Sequence, residues 1–578
     1  MSEIANTPAS SPASSPAQPD ERLFVDFQPP SYEEWVEATV KSLRGKPFES
    51  LISHTYEGFE IQPIYRQEDA AGIDHQHTLP GASPFARGPK ASGYLIQPWG
   101  VAQEIGYRSP RETNAALRHD LDRGQTVVNL ALAEATLAGR DSLAADEAGA
   151  GGLALRDADD LAQALDGVDL AAFSIIVDGG TAALALTGLL AAVAERQGVS
   201  LARLQGWIDN DPLAALAQDG SLPAPLETHL DEMAWLTGWA AEHAPDFGTV
   251  AVHGDCYQNS GGHAVQELTF ALATGVAYIR AMAERGLDIE ITAPRMRFVL
   301  GVGPDFFMEM AKLRAARLLW SQVVDAFGGG EDAQRMRIHA RTASWNKAAA
   351  DPYVNLLRTT TEAFAGALGG VESLHVTPFD APLRPPDEFS HRLARNQQLI
   401  LQAEANLTRL IDPAGGAWYV EWLTDQVARR AWALFQEVEA RGGMAAALME
   451  GFPQAQVAVT AQARAENVAA GKDVFVGVNK YPPPANGITP SLHAMADQAP
   501  PSPGRSDRTA VDDDRRQALL DRLVQARKAG GATVVQAAVD AAAGGVTLVE
   551  ITGALRADAG DGPTVTRLVS FHIEEARS

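Results

Sequence analysis

The chain has 578 residues, and its 73 acidic residues outnumber its 47 Lys and Arg residues, for a formal net charge of −26. Such an acidic chain would repel phosphate backbones and anionic lipid, which argues against binding to nucleic acid or to a membrane surface. No run of about 18 uncharged apolar residues predicts a membrane span. The single cysteine, Cys256, excludes an internal disulfide and suits a reducing compartment, so we expect a cytoplasmic protein.

Segments of unusual composition divide the chain. Residues 1–21 are dominated by Ser, Ala and Pro, which predicts disorder, and residues 22–100 are predicted to form an extended N-terminal arm. Residues 482–514 are rich in proline and predict an interdomain linker, because proline removes backbone donors and disfavours helix before it. Residues 515–578 contain Ala- and Leu-rich patterns with helical spacing, which predict a short helical C-terminal segment.

Between these segments, residues 101–481 alternate short apolar or β-branched runs with longer helical stretches. The predicted strands are TVVNLAL (126–132), FSIIVDG (173–179), LQGWIDN (204–210), TVAVHGD (249–255), RFVLGVG (297–303), RMRIHAR (335–341), ESLHVTP (372–378) and TRLIDP (408–413). Their spacing leaves room for one crossover helix between consecutive parallel strands. Eight such units predict an α/β fold of the (β/α)₈ TIM-barrel type, and a doubly wound open sheet is the alternative.

Few residues stand out as carriers of chemistry. The sequence has no GxxxxGK[ST], no HExxH and no CxxC pair, so we expect no metal site. His253, His339 and His375 lie near the ends of predicted strands, where barrels place active sites, although the sequence favours hydrogen-bonded structural roles for each of them. A nucleophilic Cys256 would need a lowered pKa, which the neighbouring Asp255 opposes, so we expect a passive thiol.

Several longer segments, taken together, resemble the methylmalonyl-CoA mutase family. They are EGFEIQPIYRQED (57–69), YIRAMAERGLDI (278–289), FFMEMAKLRAARLLW (306–320), FSHRLARNQQLILQAEANLTRLIDPAGGAWYVEWLT (389–424), VEARGGMAAAL (438–448) and VGVNKY (476–481). This resemblance implies a TIM barrel in which a coenzyme A thioester threads the axis and adenosylcobalamin caps one end. In such enzymes the cofactor supplies the radical chemistry, and the protein binds and orients.

One stretch departs from the family pattern where the pattern carries function. QPWGVAQEIGY (97–107) resembles RPWTIRQYAGF, and it places Glu104 at the tyrosine that lies close to the reacting carbons in catalytic members. Gln97 and Ala102 stand where the family motif has arginines, and Gly100 stands where it has threonine. The lost arginines would contact the anionic thioester, so the resemblance implies weakened coenzyme A binding.

Other departures point in the same direction. HGDCYQNSGG (253–262) resembles SGYHIQEAGA and places Cys256 at the histidine that hydrogen-bonds the thioester carbonyl. WIDNDPLAALAQDG (207–220) resembles TIQNDILKEFMVRN and places Asp219 at the arginine that pairs with the methylmalonyl carboxylate. The cobalt-binding motif DxHxxG does not occur. We therefore expect an inert active site without catalytic residues, and no cobalamin bound by this chain alone.

The resemblance is nearest to the non-catalytic small subunit of the heterodimeric bacterial enzyme. Its expected partner is the catalytic large subunit, which would hold adenosylcobalamin and convert methylmalonyl-CoA to succinyl-CoA. Two alternatives stay open: a catalytic acyl-CoA mutase barrel that uses a separate cobalamin-binding subunit, and a module for assembly or cofactor loading.

Overall fold

The computed structural model describes residues 30–141, 151–483 and 513–574. Contacts within the chain separate two compact units, which meet in sequence between Ile64 and Tyr65. The larger unit contains all the strands of the predicted barrel. The segment predicted to be disordered, and most of the predicted linker, lie outside the described residues.

The larger unit is built on eight parallel strand positions. In chain order they are β1 (Gly100–Val101 with Glu104–Ile105), β2 (Val127–Leu130), β3 (Ser174–Asp178), β4 (Gly206–Asp209), β5 (Phe247–Gly248 with Val250–His253), β6 (Met296–Val302), β7 (Arg337–Thr342) and β8 (Ser373–His375). They form two five-stranded sheets. Strands β1 and β5 are each interrupted, and one half of each strand belongs to one sheet and the other half to the other sheet.

The order of the strands has no reversal. Each strand pairs with the next strand along the chain, and β8 pairs with the first half of β1. A doubly wound sheet would instead change direction at a switch point. The fold is therefore TIM-barrel-like, and the predicted α/β class is confirmed.

One predicted strand is wrong. The segment 408–413 contains a 3₁₀-helix, Leu407–Arg409, and no strand. The remaining strand position is taken by β1, whose sequence has too few apolar residues to indicate a strand by itself. It is held by long-range pairing, as when the backbone N–H of Ala102 donates to the carbonyl of Leu374 at 3.0 Å. Tertiary hydrogen bonds therefore outweigh the weak local pattern.

Helices follow the strands and cover the sheets. The described α-helices of this unit are Pro110–Leu121, Glu134–Leu137, Ala158–Ala164, Ala183–Arg196, Pro212–Asp219, Leu226–His243, Asp255–Asn259, Ala264–Glu284, Ile289–Thr292, Phe306–Ala326, Asn355–Leu368, Glu388–Ala403, Trp418–Ala440, Met444–Glu450, Phe452–Ala469, Asp513–Ala529, Ala532–Ala543 and Leu548–Arg556. Carboxylate caps begin some of them, as where Asp387 accepts the N–H of Ser390 at 3.0 Å. No helix in the described ranges is long and apolar enough to cross a bilayer.

The C-terminal helices belong to the core of the larger unit. Val534, Val535 and Ala538 are buried in the same apolar cluster as residues of β2, β3 and β4. The helix Ala183–Arg196 lies in this cluster too, and it is apolar and buried around nearly its whole circumference. Such a helix must be covered on both sides. The C-terminal segment, predicted only as helical, supplies the outer cover.

The described residues of the smaller unit form an α-helix, a 3₁₀-helix (Phe48–Leu51) and a hairpin. The helix Tyr32–Ser42 begins with a capping box, in which Ser31 and Glu34 each accept the other's backbone N–H. The two-residue strands Ser53–His54 and Glu60–Ile61 pair antiparallel.

Candidate active site

Titratable side chains stand at the carboxyl ends of alternate strands. Glu104 is on β1, Asp178 on β3, His253 on β5 and Arg341 on β7. In a TIM barrel, alternate strands contribute side chains to the same interior layer, and active sites lie at this end. The four residues accordingly influence one another: Asp178 raises the pKa of His253, and Arg341 lowers that of Asp178 against the larger effect of burial.

Arg341 binds two carboxylates at once. Its Nε lies 2.9 Å from Oε1 of Glu104, and its Nη2 donates to Oε2 of the same residue at 3.0 Å. Its Nη1 donates to Oδ2 of Asp255, also at 3.0 Å. The exposed fraction of the side chain is 34% for Arg341 and 25% for Glu104, but only 5% for Asp255. The bridge therefore borders open space on one side and the protein interior on the other.

The chain of ion pairs continues from Asp255 into the barrel. His253 Nδ1 lies 3.5 Å from Asp255 Oδ1, and its Nε2 lies 3.6 Å from Asp209 Oδ2. Arg297 donates from Nε to Asp209 Oδ1 at 2.8 Å and also contacts the second carboxylate oxygen. We call this series the lumen network: Glu104, Arg341, Asp255, His253, Asp209 and Arg297.

Alternating charge explains the protonation states in the lumen network. Burial favours the neutral acid, but the Arg341 guanidinium lowers the pKa of Glu104, and Arg341 and His253 together lower that of Asp255. Burial would lower the pKa of His253, yet the carboxylates of Asp209 and Asp255, at 3.6 and 3.5 Å from its ring nitrogens, raise it well above the usual value. A protonated imidazole that is paired on both sides cannot act as a general base.

Cys256 follows β5 but does not have the surroundings of a nucleophile. Its side chain is buried, and Sγ donates to the carbonyl oxygen of His253 at 3.1 Å. Burial, followed by the carboxylates of Asp255 and Asp211, raises the pKa of the thiol well above its usual value. A nucleophilic cysteine requires the opposite shift. The geometry agrees with the expected passive thiol.

Asp219 is placed apart from the lumen network. It is the last residue of the helix Pro212–Asp219, which follows β4, and it is exposed. Partial burial, and then the carboxylates of Glu134 and of Asp178 at the end of β3, raise its pKa. The structure does not bring Asp219 into contact with Glu104 or Cys256 through any described hydrogen bond or ion pair.

The three positions expected to be degenerate coenzyme A contacts have different surroundings. Gln97 is exposed just before β1. Gly100 packs so closely that a Cβ would lie 2.7 Å from Cγ2 of Val127. Ala102 is fully buried in a small cluster with Val127 and Ile176. A longer side chain at position 100 or 102 would therefore disturb the packing around β1.

Two histidines predicted near strand ends are held as neutral structural groups. The Glu104 backbone N–H donates to Nδ1 of His375 at 3.1 Å, and burial lowers the pKa of His375 to about 4. His339 Nδ1 shares a hydrogen bond of 2.8 Å with Ser373 Oγ, and burial lowers its pKa well below the usual value. Both histidines therefore fit the structural alternative.

The histidines at this end of the barrel differ in what they could offer a cobalt ion. The imidazole of His253 is protonated and paired with two carboxylates, so it has no nitrogen available for the cobalt of adenosylcobalamin. In His375 and His339, Nδ1 is hydrogen-bonded within the protein. In the described part of the chain, no group of three His, Cys, Asp or Glu side chains is arranged to hold a metal ion.

Sequence reasoning missed the residues that join the site together. Arg341, Asp209 and Arg297 were not singled out, although Arg341 ends the predicted strand RMRIHAR and Asp209 lies near the end of LQGWIDN. A charged residue at the carboxyl end of an apolar run is the available signal, because that end faces the active-site opening of a barrel. The pairing itself carries no local signal.

Comparison with known proteins gives the family. The methylmalonyl-CoA mutase family model matches residues 54–561. The methylmalonyl-CoA mutase of Rhizobium meliloti is 36% identical over 546 residues, which are 93% of this chain and 76% of that protein. The mitochondrial methylmalonyl-CoA mutase of Mus musculus is 34% identical over 552 residues, covering 94% of this chain and 73% of its own length.

A relative described as a subunit is matched over a shorter stretch. The methylmalonyl-CoA mutase large subunit of Streptomyces virginiae is 37% identical over 455 residues, which are 78% of this chain and 62% of that protein. The family match extends over most of the present sequence, and the strand order and carboxyl-end site agree with it. The chain therefore belongs to the methylmalonyl-CoA mutase family.

Proposed function

We propose that the chain is the small, non-catalytic subunit of a heterodimeric methylmalonyl-CoA mutase. The observation that carries this proposal is the state of Glu104. At the position where the family resemblance expects a tyrosine, a carboxylate is engaged by Arg341 at 2.9 Å. An ionised carboxylate in an ion pair has no proton to donate and cannot stack on a substrate as an aromatic ring does.

The surroundings of Cys256 support the same function. A buried thiol that already donates to the carbonyl of His253 cannot replace an imidazole that hydrogen-bonds a thioester. The catalytic large subunit would then be the partner that holds adenosylcobalamin and interconverts methylmalonyl-CoA and succinyl-CoA. An inert barrel has a structural role if it covers a large obligate interface on that partner, since such interfaces typically bury more than about 2,000 Å².

Activity measurements on the separate and combined chains test the proposal. The present chain, with adenosylcobalamin added, is expected to form no succinyl-CoA from methylmalonyl-CoA. Co-expression with a full-length mutase large subunit is expected to give an active complex whose turnover is unchanged by Cys256→Ala. Turnover by the chain without that partner would contradict the proposal.

A catalytic barrel that takes cobalamin from a separate subunit is the second candidate. The similarity to relatives described simply as methylmalonyl-CoA mutases favours it, with 36% identity over 93% of the chain. This candidate differs from the small-subunit proposal in one measurable respect. Addition of a stand-alone cobalamin-binding protein should then be sufficient for turnover, and Glu104→Gln should abolish it.

A further inference from the structure

The bridge made by Arg341 crosses the interior of the barrel. Glu104 lies on β1 and Asp255 directly follows β5, so they are four positions apart among eight strands. Positions four apart in an eight-stranded ring face each other across its axis. Arg341 reaches both from β7, the strand position midway between β5 and β1 on one side.

Three properties distinguish this bridge from an ordinary surface ion pair. The guanidinium donates to both partners through different nitrogens, with Nε and Nη2 on Glu104 and Nη1 on Asp255. Asp255 is 5% exposed and has a second partner, His253, which fixes its orientation. The planar guanidinium thus has two fixed acceptors, which is the arrangement in which arginine is best ordered.

We propose that Arg341 acts as an internal ligand that closes the barrel interior to coenzyme A thioesters. The inference rests on the proposed function and gives its physical cause: a side chain of the protein itself occupies the axial path. The carboxylates of Glu104 and Asp255 hold the guanidinium in that position. A thioester could enter only if Arg341 left both partners, which would then remain as two unpaired carboxylates facing an anionic ligand.

A charge-balanced double variant provides the test. Glu104→Gln/Arg341→Gln removes one charge of each sign, so the net charge is unchanged, and Asp255 keeps its contact with His253. The matched control is Glu227→Gln/Arg285→Gln, which removes a 2.6 Å ion pair on the outer helices. Binding of methylmalonyl-CoA would be measured by titration calorimetry for both variants and the wild-type chain.

The expected result is a gain of at least about tenfold in affinity for the lumen variant, or about 1.4 kcal/mol, with the control equal to wild type. Equal binding by all three proteins would overturn the inference. Succinyl-CoA formation by the wild-type chain alone is a separate readout, and it would contradict the proposed function instead.

A single conservative variant keeps the test decisive if the double variant does not fold. Arg341→Lys preserves the charge, but one ammonium group cannot reach both carboxylates in the manner of a guanidinium fork. The affinity of Arg341→Lys for methylmalonyl-CoA should be higher than that of wild type, but the gain should be smaller than the one expected for the double variant. Affinity at or below the wild-type value would count against a blocking role.

Discussion

The Arg341 guanidinium lies 2.9 Å from the carboxylate of Glu104, although the two residues are separated by 237 positions in the sequence. They belong to the lumen network, whose six side chains alternate in sign. Because each ion has an opposite neighbour, loss of one member leaves a carboxylate or a cation without compensation in a poorly solvated region.

Removal of Arg341 alone is expected to cost more stability than removal of both Arg341 and Glu104. Arg341→Gln leaves Glu104 unpaired, and we expect a loss of about 1–3 kcal/mol, between the values for surface and buried pairs. The double variant Glu104→Gln/Arg341→Gln should lose less. Urea unfolding of both single variants and the double variant would give the interaction energy, and additive losses would show that the pair is not coupled.

Stability should depend on the protonation of the lumen network in a defined direction. The folded-state pKa values of Glu104, Asp209 and Asp255 are lowered, so their contribution is present above about pH 4 and is lost as pH falls through the folded values. The pKa of His253 is raised, so its contribution is complete below about pH 6.5 and is lost as pH rises through the folded value.

Thermal unfolding measured across pH would separate the loss of stability at acid pH from the loss at alkaline pH. His253→Gln should remove the alkaline loss that comes from the imidazole while leaving the acid loss in place. His243→Gln provides a control, because that histidine bonds the carbonyl of Trp239 on the outer helix Leu226–His243. An identical alkaline profile for wild type and His253→Gln would contradict the assigned protonation state.

Cys256 should react slowly with thiol reagents in the native protein. Its side chain is 7% exposed and its pKa is raised, first by burial, so little thiolate is present near pH 7. Labelling with a disulfide reagent should be at least about 100-fold faster after denaturation. Rapid labelling of the native chain would show a reactive thiol. Cys256→Ser, which retains a donor for the His253 carbonyl, should unfold close to wild type.

Restoration of the family residue at position 100 should destabilise the barrel. A Cβ on Gly100 would meet Cγ2 of Val127 at 2.7 Å, so Gly100→Thr is expected to cost about 1–3 kcal/mol. Val127→Ala in the same chain should recover part of this loss by making room. Chemical denaturation of the two single variants and the double variant would measure the effect, and an unperturbed Gly100→Thr would rule out the close approach.

The C-terminal helices should be necessary for a stable fold. Val535 is fully buried in the cluster that covers the helix Ala183–Arg196. Val535→Asp buries an unpaired charge and should cost several kcal/mol, of the order of 3–5. Exposed Val549→Asp on the next helix is the control, and it should have little effect. The onset of thermal aggregation would distinguish the two variants, and equal behaviour would contradict a place for Val535 in the shared core.

The sequence by itself determined the repeating strand–helix pattern, the family and the positions of Glu104 and Cys256. These follow from short-range information: short apolar runs that alternate with longer helical stretches indicate an α/β fold, and a motif aligns by its own letters. The same local reasoning assigned a strand to 408–413, which is wrong. An apolar pattern specifies what can be buried, whereas pairing decides which segment joins a sheet.

Only the tertiary structure decided that Glu104 has a partner. Nothing in QPWGVAQEIGY indicates that a guanidinium from β7 will meet its carboxylate, or that Asp255 will bind the same group from the opposite side. Ion pairs act over a few ångströms in space and carry no signal along the chain. The TIM-barrel-like arrangement of the eight strands brings these charges within that distance, so the fold determines the state of the site.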